Sequence, residues 1–166
     1  MDSRFNGLWK IDLGRSRQWD WSADKWVPDM VEREDIEICL RNGVLEWDLW
    51  AGIDPAVNMY AKVTIDGDWA PYICRELKFA TPEGEARRQA EASKLNMPLF
   101  RAGETTALLK VIRVTDTYLV RVSRTPDGRT ANYIMSTELT GPDERTSILT
   151  SPDGQPVYHR IFTRAG

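Results

Sequence analysis

Residues 5–19 read FNGLWKIDLGRSRQW. Trp9, Ile11 and Leu13 alternate with Leu8, Lys10 and Asp12. Alternation with a period of two is the pattern of a strand with one face on a core. It predicts a first strand over 8–13 with Trp9 pointing inward. Gly14 ends the pattern. From 14 to 29 no period survives; Trp19, Trp21 and Trp26 lie among charged and small residues, and Pro28 follows. The expectation is a long irregular connection, a type that is often functional or lid-like.

The same alternation recurs outward along the chain. Over 32–40, Ile36, Ile38 and Leu40 oppose Asp35, Glu37 and Cys39. Asn42-Gly43 follows, and both residues tolerate the positive φ that a tight hairpin needs. The return strand, 44–50, puts Leu45, Trp47 and Leu49 on its apolar face and Glu46 and Asp48 on its polar one. Residues 57–65 alternate most cleanly, with Val57, Met59, Ala61, Val63 and Ile65 on one side. Asp66-Gly67 turns the chain into a strand over 69–79, where Pro71 predicts an edge or a bulge.

Pro82, Glu83 and Glu85 then read as a helix start. The segment 83–95 is rich in Ala, Arg and Glu. Its apolar stripe (Ala86, Ala90, Leu95) is thin enough to predict a helix lying on the surface. Pro98 and Gly103 bound the loop after it. Five strands follow, over 106–114, 117–124, 131–139, 146–150 and 157–164, with Pro-Asp-Gly turns at 126–128 and 152–154.

Hairpins in series make antiparallel neighbours, and closing the sheet removes its edges. The expected class is all-β with one intervening helix: an antiparallel up-and-down barrel of about 8–10 strands. It forms one domain over 1–166, with a helical insertion near 82–96. A β-sandwich, or an open sheet curved around the helix, is the second architecture.

The chain has 166 residues and a net charge of −3, too little positive charge for a nucleic-acid footprint. No run is long and apolar enough for a membrane helix. The start MDSRFNG has no basic and then apolar leader pattern, so the expected location is cytoplasmic. Cys39 and Cys74 read as free thiols, with a disulfide between them left open. All seven Trp fall within the first 69 positions. They suit core and rim packing, and equally the lining of a site for an aromatic molecule. No membrane partner is expected, and a homodimer is left open.

At Gly7-Leu8-Trp9 the chain resembles the calycin group: lipocalins, fatty-acid-binding proteins and bacterial lipocalin-like domains. The resemblance implies that Trp9 plugs one end of a barrel and that a basic residue of the last strand, Arg160 or Arg164, packs across it. The departures are the missing C-terminal helix of secreted lipocalins, the missing helix pair after the first strand, and a helix at 83–95 without a counterpart.

The single His and two distant Cys offer no metal spacing, and there is no phosphate loop or nucleophile elbow. No metal and no cofactor are expected. On the last strand Val157, His159, Ile161 and Thr163 form the face without fixed charge, so His159 is expected inside. The same rule puts Tyr118, Val120 and Val122 inside with Arg121 outside, and makes Tyr133 an interior hydroxyl. Strand 69–79 is ambiguous: either Tyr72 and Cys74 face inward, or Arg75 does.

The expected function is binding of an apolar or aromatic small molecule in the barrel. The candidate binding residues are Trp19, Trp21, Trp26, Trp47, Tyr72, Arg75 and His159. The alternative is a cofactor-independent lyase, isomerase or hydratase on an aromatic or terpenoid-like substrate. His159, Tyr133 and Asp48 would then carry acid–base catalysis. A structural domain with a filled interior is the third class.

Overall fold

The computed structural model describes residues 3–94 and 101–166. Among them, β1 (Gly7–Ile11) opens the sheet, and the Arg17–Asp20 and Lys25–Pro28 segments form β2 and β3. A meander of β4 (Glu34–Arg41), β5 (Val44–Ala51), β6 (Ala56–Thr64) and β7 (Ala70–Lys78) follows. Helix α1 (Pro82–Lys94) leads to a second meander: β8 (Thr105–Arg113), β9 (Tyr118–Arg124), β10 (Ala131–Gly141), β11 (Glu144–Thr150) and β12 (Pro156–Arg164).

Every pairing is antiparallel, and β12 returns to β1 with Trp9 opposite Arg164. The result is a closed ten-stranded barrel built from β1 and β4 to β12, as expected, and consistent with a calycin-like fold. Cys39 and Cys74 are free thiols. No described helix is long and apolar enough to cross a membrane.

Two expectations need correction, and the choice left open at Pro71 is decided. The first strand stops at Ile11, and Leu13 is exposed. The stretch 14–29 is no irregular loop, since β2 and β3 pair as a hairpin with Trp19 opposite Trp26. That hairpin docks on β12 just beyond β1, with Gln18 opposite Tyr158. Four-residue strands are too short to show a period, which is why the pattern was silent there. Pro71 is not on an edge: β7 is paired on both sides, with register shifts between Asn58 and Met59 against β6 and between Tyr72 and Ile73 against β8. The bulge reading of Pro71 is the one that agrees with this.

Helix α1 lies on the surface, with Ala86 and Ala90 exposed. Leu95 and Pro98, the expected end of the helix and of its loop, lie outside the described residues. The helix start is tied to the β5–β6 turn by Asp54, which accepts from Ala80 N at 2.9 Å and from Thr81 Oγ1 at 2.6 Å. Arg87 reaches the same carboxylate at 3.3 Å. A Cβ at Gly84 would stand 2.0 Å from Asp54 Oδ1, so this contact needs glycine there.

One barrel end is closed by the first residues. The 3-10 turn Ser3–Phe5 lays Phe5, 1% exposed, across it. The Asn6 side chain bonds both backbone groups of Leu40, fixing the turn to β4. Trp9 is fully buried and donates Nε1–H to the Phe5 carbonyl at 2.9 Å. The Arg164 guanidinium lies 4.3 Å from the Trp9 ring and donates to the carbonyls of Asn6 and Arg4. A cation over a shielded indole contributes about 0.5–2 kcal/mol. Gly7 has φ +123°, and a Cβ there would meet Arg164 Nη1 at 2.8 Å. Glycine at position 7 and tryptophan at 9 are thus two halves of one device: the glycine makes room for the cation that covers the indole.

Candidate functional site

The interior rows follow from β-sheet alternation, in which residues two apart share a face. From β4 and β5 come Ile36, Ile38, Leu45, Trp47 and Leu49; from β7, Tyr72. From the second meander come Val111, Leu119, Arg121, Tyr133, Met135, Thr137, Arg145, Ser147, Leu149, Tyr158 and Arg160. They enclose a cavity of about 280 Å³ whose floor is Phe5. Register fixes its direction. Leu40 pairs with Leu45 at the Phe5 end, whereas Glu34 pairs with Ala51 at the other, where the cavity meets its mouth.

At the mouth Arg160 is held by two carboxylates. Its Nε donates to Asp29 Oδ2 at 2.6 Å and its Nη2 to Asp29 Oδ1 at 3.1 Å, while Nη1 donates to Glu34. The Asp29 and Glu34 side chains are 0% and 6% exposed. Burial pulls the Arg160 pKa down, but the hydrogen bond to Asp29 and the charge of Glu34 outweigh it, so it is held above its ordinary value. Burial pushes the Glu34 carboxyl up, against the pull of Arg160, Arg145 and Arg121.

Deeper in stand Arg145 and Arg121, which have no bonded carboxylate among the described residues. Arg145 is 3% exposed and lies level with the floor, paired with Leu139 and Phe162. Its guanidinium is 4.0 Å from the Phe162 ring and 5.6 Å from Trp9, and Nη1 donates to Ser147 Oγ at 3.2 Å. Among the described residues its Nε and Nη2 have no hydrogen-bond partner. Burial pushes Arg145 down to about 10, which leaves it charged at neutral pH. Arg121 sits within 5.2–5.5 Å of the rings of Trp47, Tyr72 and Tyr133, and its buried Nε is likewise unpartnered. Burial pushes the hydroxyls of Tyr72 and Tyr158 up, so both are neutral donors at physiological pH.

Of the candidates named from sequence, Trp47, Tyr72 and Tyr133 line the cavity together. The others do not join them. His159 faces out, because Tyr158 and Arg160 on either side of it face in. The expected parity of β12 is therefore reversed, and so is that of β9, where Arg121 points inward. Both reversals have one cause: arginines that find rings or carboxylates inside can be buried, so absence of charge does not mark the inner face. Arg75 also faces out, over the Tyr60 ring at 3.4 Å and bonded to Asp48 at 3.0 Å. Asp48 lies on that outer face, where it accepts from Asn58. His159, Tyr133 and Asp48 are thus not brought together.

Trp19 and Trp26 pack edge to face at 5.3 Å in the β2–β3 hairpin, outside the cavity, and Trp21 is 58% exposed. Sequence reasoning missed Phe5, Glu34, Arg145 and Tyr158, and gave Arg160 only the role that Arg164 fills. One signal pointed to the right parity. If a last-strand arginine covers the inward Trp9, then Tyr158, Arg160, Phe162 and Arg164 share the inner face. No protein-family model and no curated protein matches this chain, so the cavity's chemistry has to speak from its own residues.

Proposed function

We propose that this barrel binds a small apolar or aromatic molecule in its interior. The observation that carries the reading is the cavity of about 280 Å³, walled by aliphatic and aromatic side chains with a few convergent polar groups. That composition is the usual one for small-molecule sites, and the volume stands at their lower edge. It supports a compact ligand over an extended lipid. The lyase or isomerase alternative needed convergent acid–base groups, and the three residues named for it are separated by the barrel wall.

Among the described residues Trp47 is the tryptophan that lines the cavity, so its emission should report occupancy. Titration with naphthalen-2-ylmethanol is expected to quench tryptophan fluorescence, and Trp47→Phe should remove most of that quench. No quench and no rise in Tm across a panel of neutral and charged one- and two-ring arenes would overturn the reading.

A further inference from the structure

We infer that the ligand is a compact aromatic carboxylate that enters acid-first, its carboxylate seated on Arg145 and Arg121. The inference rests on the cavity-binding reading and names the ligand class for that site.

Among the described residues the charges of the interior do not balance. Three guanidiniums face the cavity, from Arg121, Arg145 and Arg160. Among the described residues, the carboxylates buried beside it, Asp29 and Glu34, are both bonded to Arg160 at the mouth. Arg145 and Arg121 are left with rings and hydroxyls. Cation–π contacts offset part of the cost of desolvating a cation, but they leave in-plane N–H groups without acceptors. Those N–H groups are Arg145 Nε and Nη2 and Arg121 Nε. A buried donor without an acceptor is costly, and a cation without a counter-charge is more so. A planar guanidinium fork matches a carboxylate in two parallel hydrogen bonds.

The orientation follows from depth. Arg145 lies beside Phe162 and Trp9 at the closed end, so an acid group must travel past the mouth to reach it. Ser147 Oγ, already bonded to Arg145 and 3.2 Å from Thr137 Oγ1, stands beside that seat. The body of the ligand then lies against Trp47 and Tyr72, whose rings are 6.0 Å apart and tilted by 53°. The volume limits the body to about two fused rings, since larger drug-like ligands occupy larger cavities.

The test compares two probes of one shape on the intact protein by calorimetry: naphthalene-2-carboxylate and the neutral naphthalen-2-ylmethanol. The carboxylate is expected to bind roughly tenfold tighter or better, the scale of a charge-assisted hydrogen bond. Arg145→Met should bring its affinity to that of the alcohol, while the alcohol changes by less than about threefold. Equal affinity of the two probes for the wild-type protein overturns the inference and leaves the cavity reading standing. Failure of both probes to bind overturns the inference, and together with a silent arene panel it overturns the reading as well. The wild-type comparison decides the matter even if the variant does not fold.

Discussion

The barrel has two walls made by opposite rules. In β4 to β6 the inward row is apolar along most of its length: Ile36, Ile38 and Leu40, then Leu45 and Trp47, then Met59, Ala61 and Val63. Charged side chains such as Glu37, Asp48 and Lys62 stand outside. In β9 to β12 the arrangement is partly inverted. Arg121, Arg145 and Arg160 point inward, while Ile134 and Ile148 are 36% and 40% exposed on the outer surface. One wall stores stability and the other stores chemistry. Hydrophobic burial is non-directional, so the first wall needs only size and pattern. The second wall carries desolvated cations, which are tolerated only where rings, hydroxyls or carboxylates meet them.

The contrast can be broken at five places, in descending order of effect. Arg160→Met strips two buried carboxylates of their partner. Removing one member of such a group costs about 3–5 kcal/mol, and urea unfolding should show it. Ile38→Ala, in the apolar wall, should cost about 2–4 kcal/mol through lost burial and the cavity left behind. Arg145→Met should do the reverse. Replacing a cation that has no bonded carboxylate with an apolar chain of similar length should leave stability unchanged or raise it by about 1–2 kcal/mol, read by the same unfolding curve. A loss above that of Ile38→Ala would erase the distinction between the walls.

The fourth place is Glu34. Burial raises its carboxyl pKa in the folded protein, so the native state keeps a proton that the unfolded chain gives up. That contribution to stability is complete below the ordinary value of 4.5 and is lost as the pH climbs through the folded pKa. The stability of the wild type relative to Glu34→Gln should therefore decline as pH rises above 4.5; a flat difference would mean that no such proton is held. The smallest effects belong to the outer face. Arg75→Ala removes an exposed ion pair worth less than about 1 kcal/mol, and His159→Ala should change stability by no more than about 0.5 kcal/mol. Neither should alter probe binding.

The same contrast explains how far the sequence could be read. Strands 4 to 7 and the helix were legible because their periods of two, their Asn-Gly turn and the Pro82 start are local signals. Trp47 could be placed in the lining from its row alone, whereas the row of Tyr72 left both faces of β7 open until the structure put Tyr72 inside. The second meander was legible as strands and not as faces. On β12, Val157, His159 and Ile161 look like the inner row to any rule that ranks faces by charge. The partners that make Arg160 an inner residue lie 131 and 126 positions away, at Asp29 and Glu34. The β2–β3 hairpin was hidden for a related reason: it is held by β12 and by pairing too short to leave a rhythm.

The seam between the first and last strands has a consequence for how the chain reaches its structure. Arg164 bonds the backbone of Asn6, 158 positions earlier, and β12 supplies one edge to both β1 and β2. Until β12 has been synthesised, β1 has one neighbour and the β2–β3 hairpin has nothing to dock on. Contacts this distant in sequence raise contact order and slow folding. An emerging chain therefore carries an open sheet, with one edge of β1 unpaired and Trp9 uncovered, until β12 arrives. Deleting the last strand should yield a species that self-associates through its exposed edges.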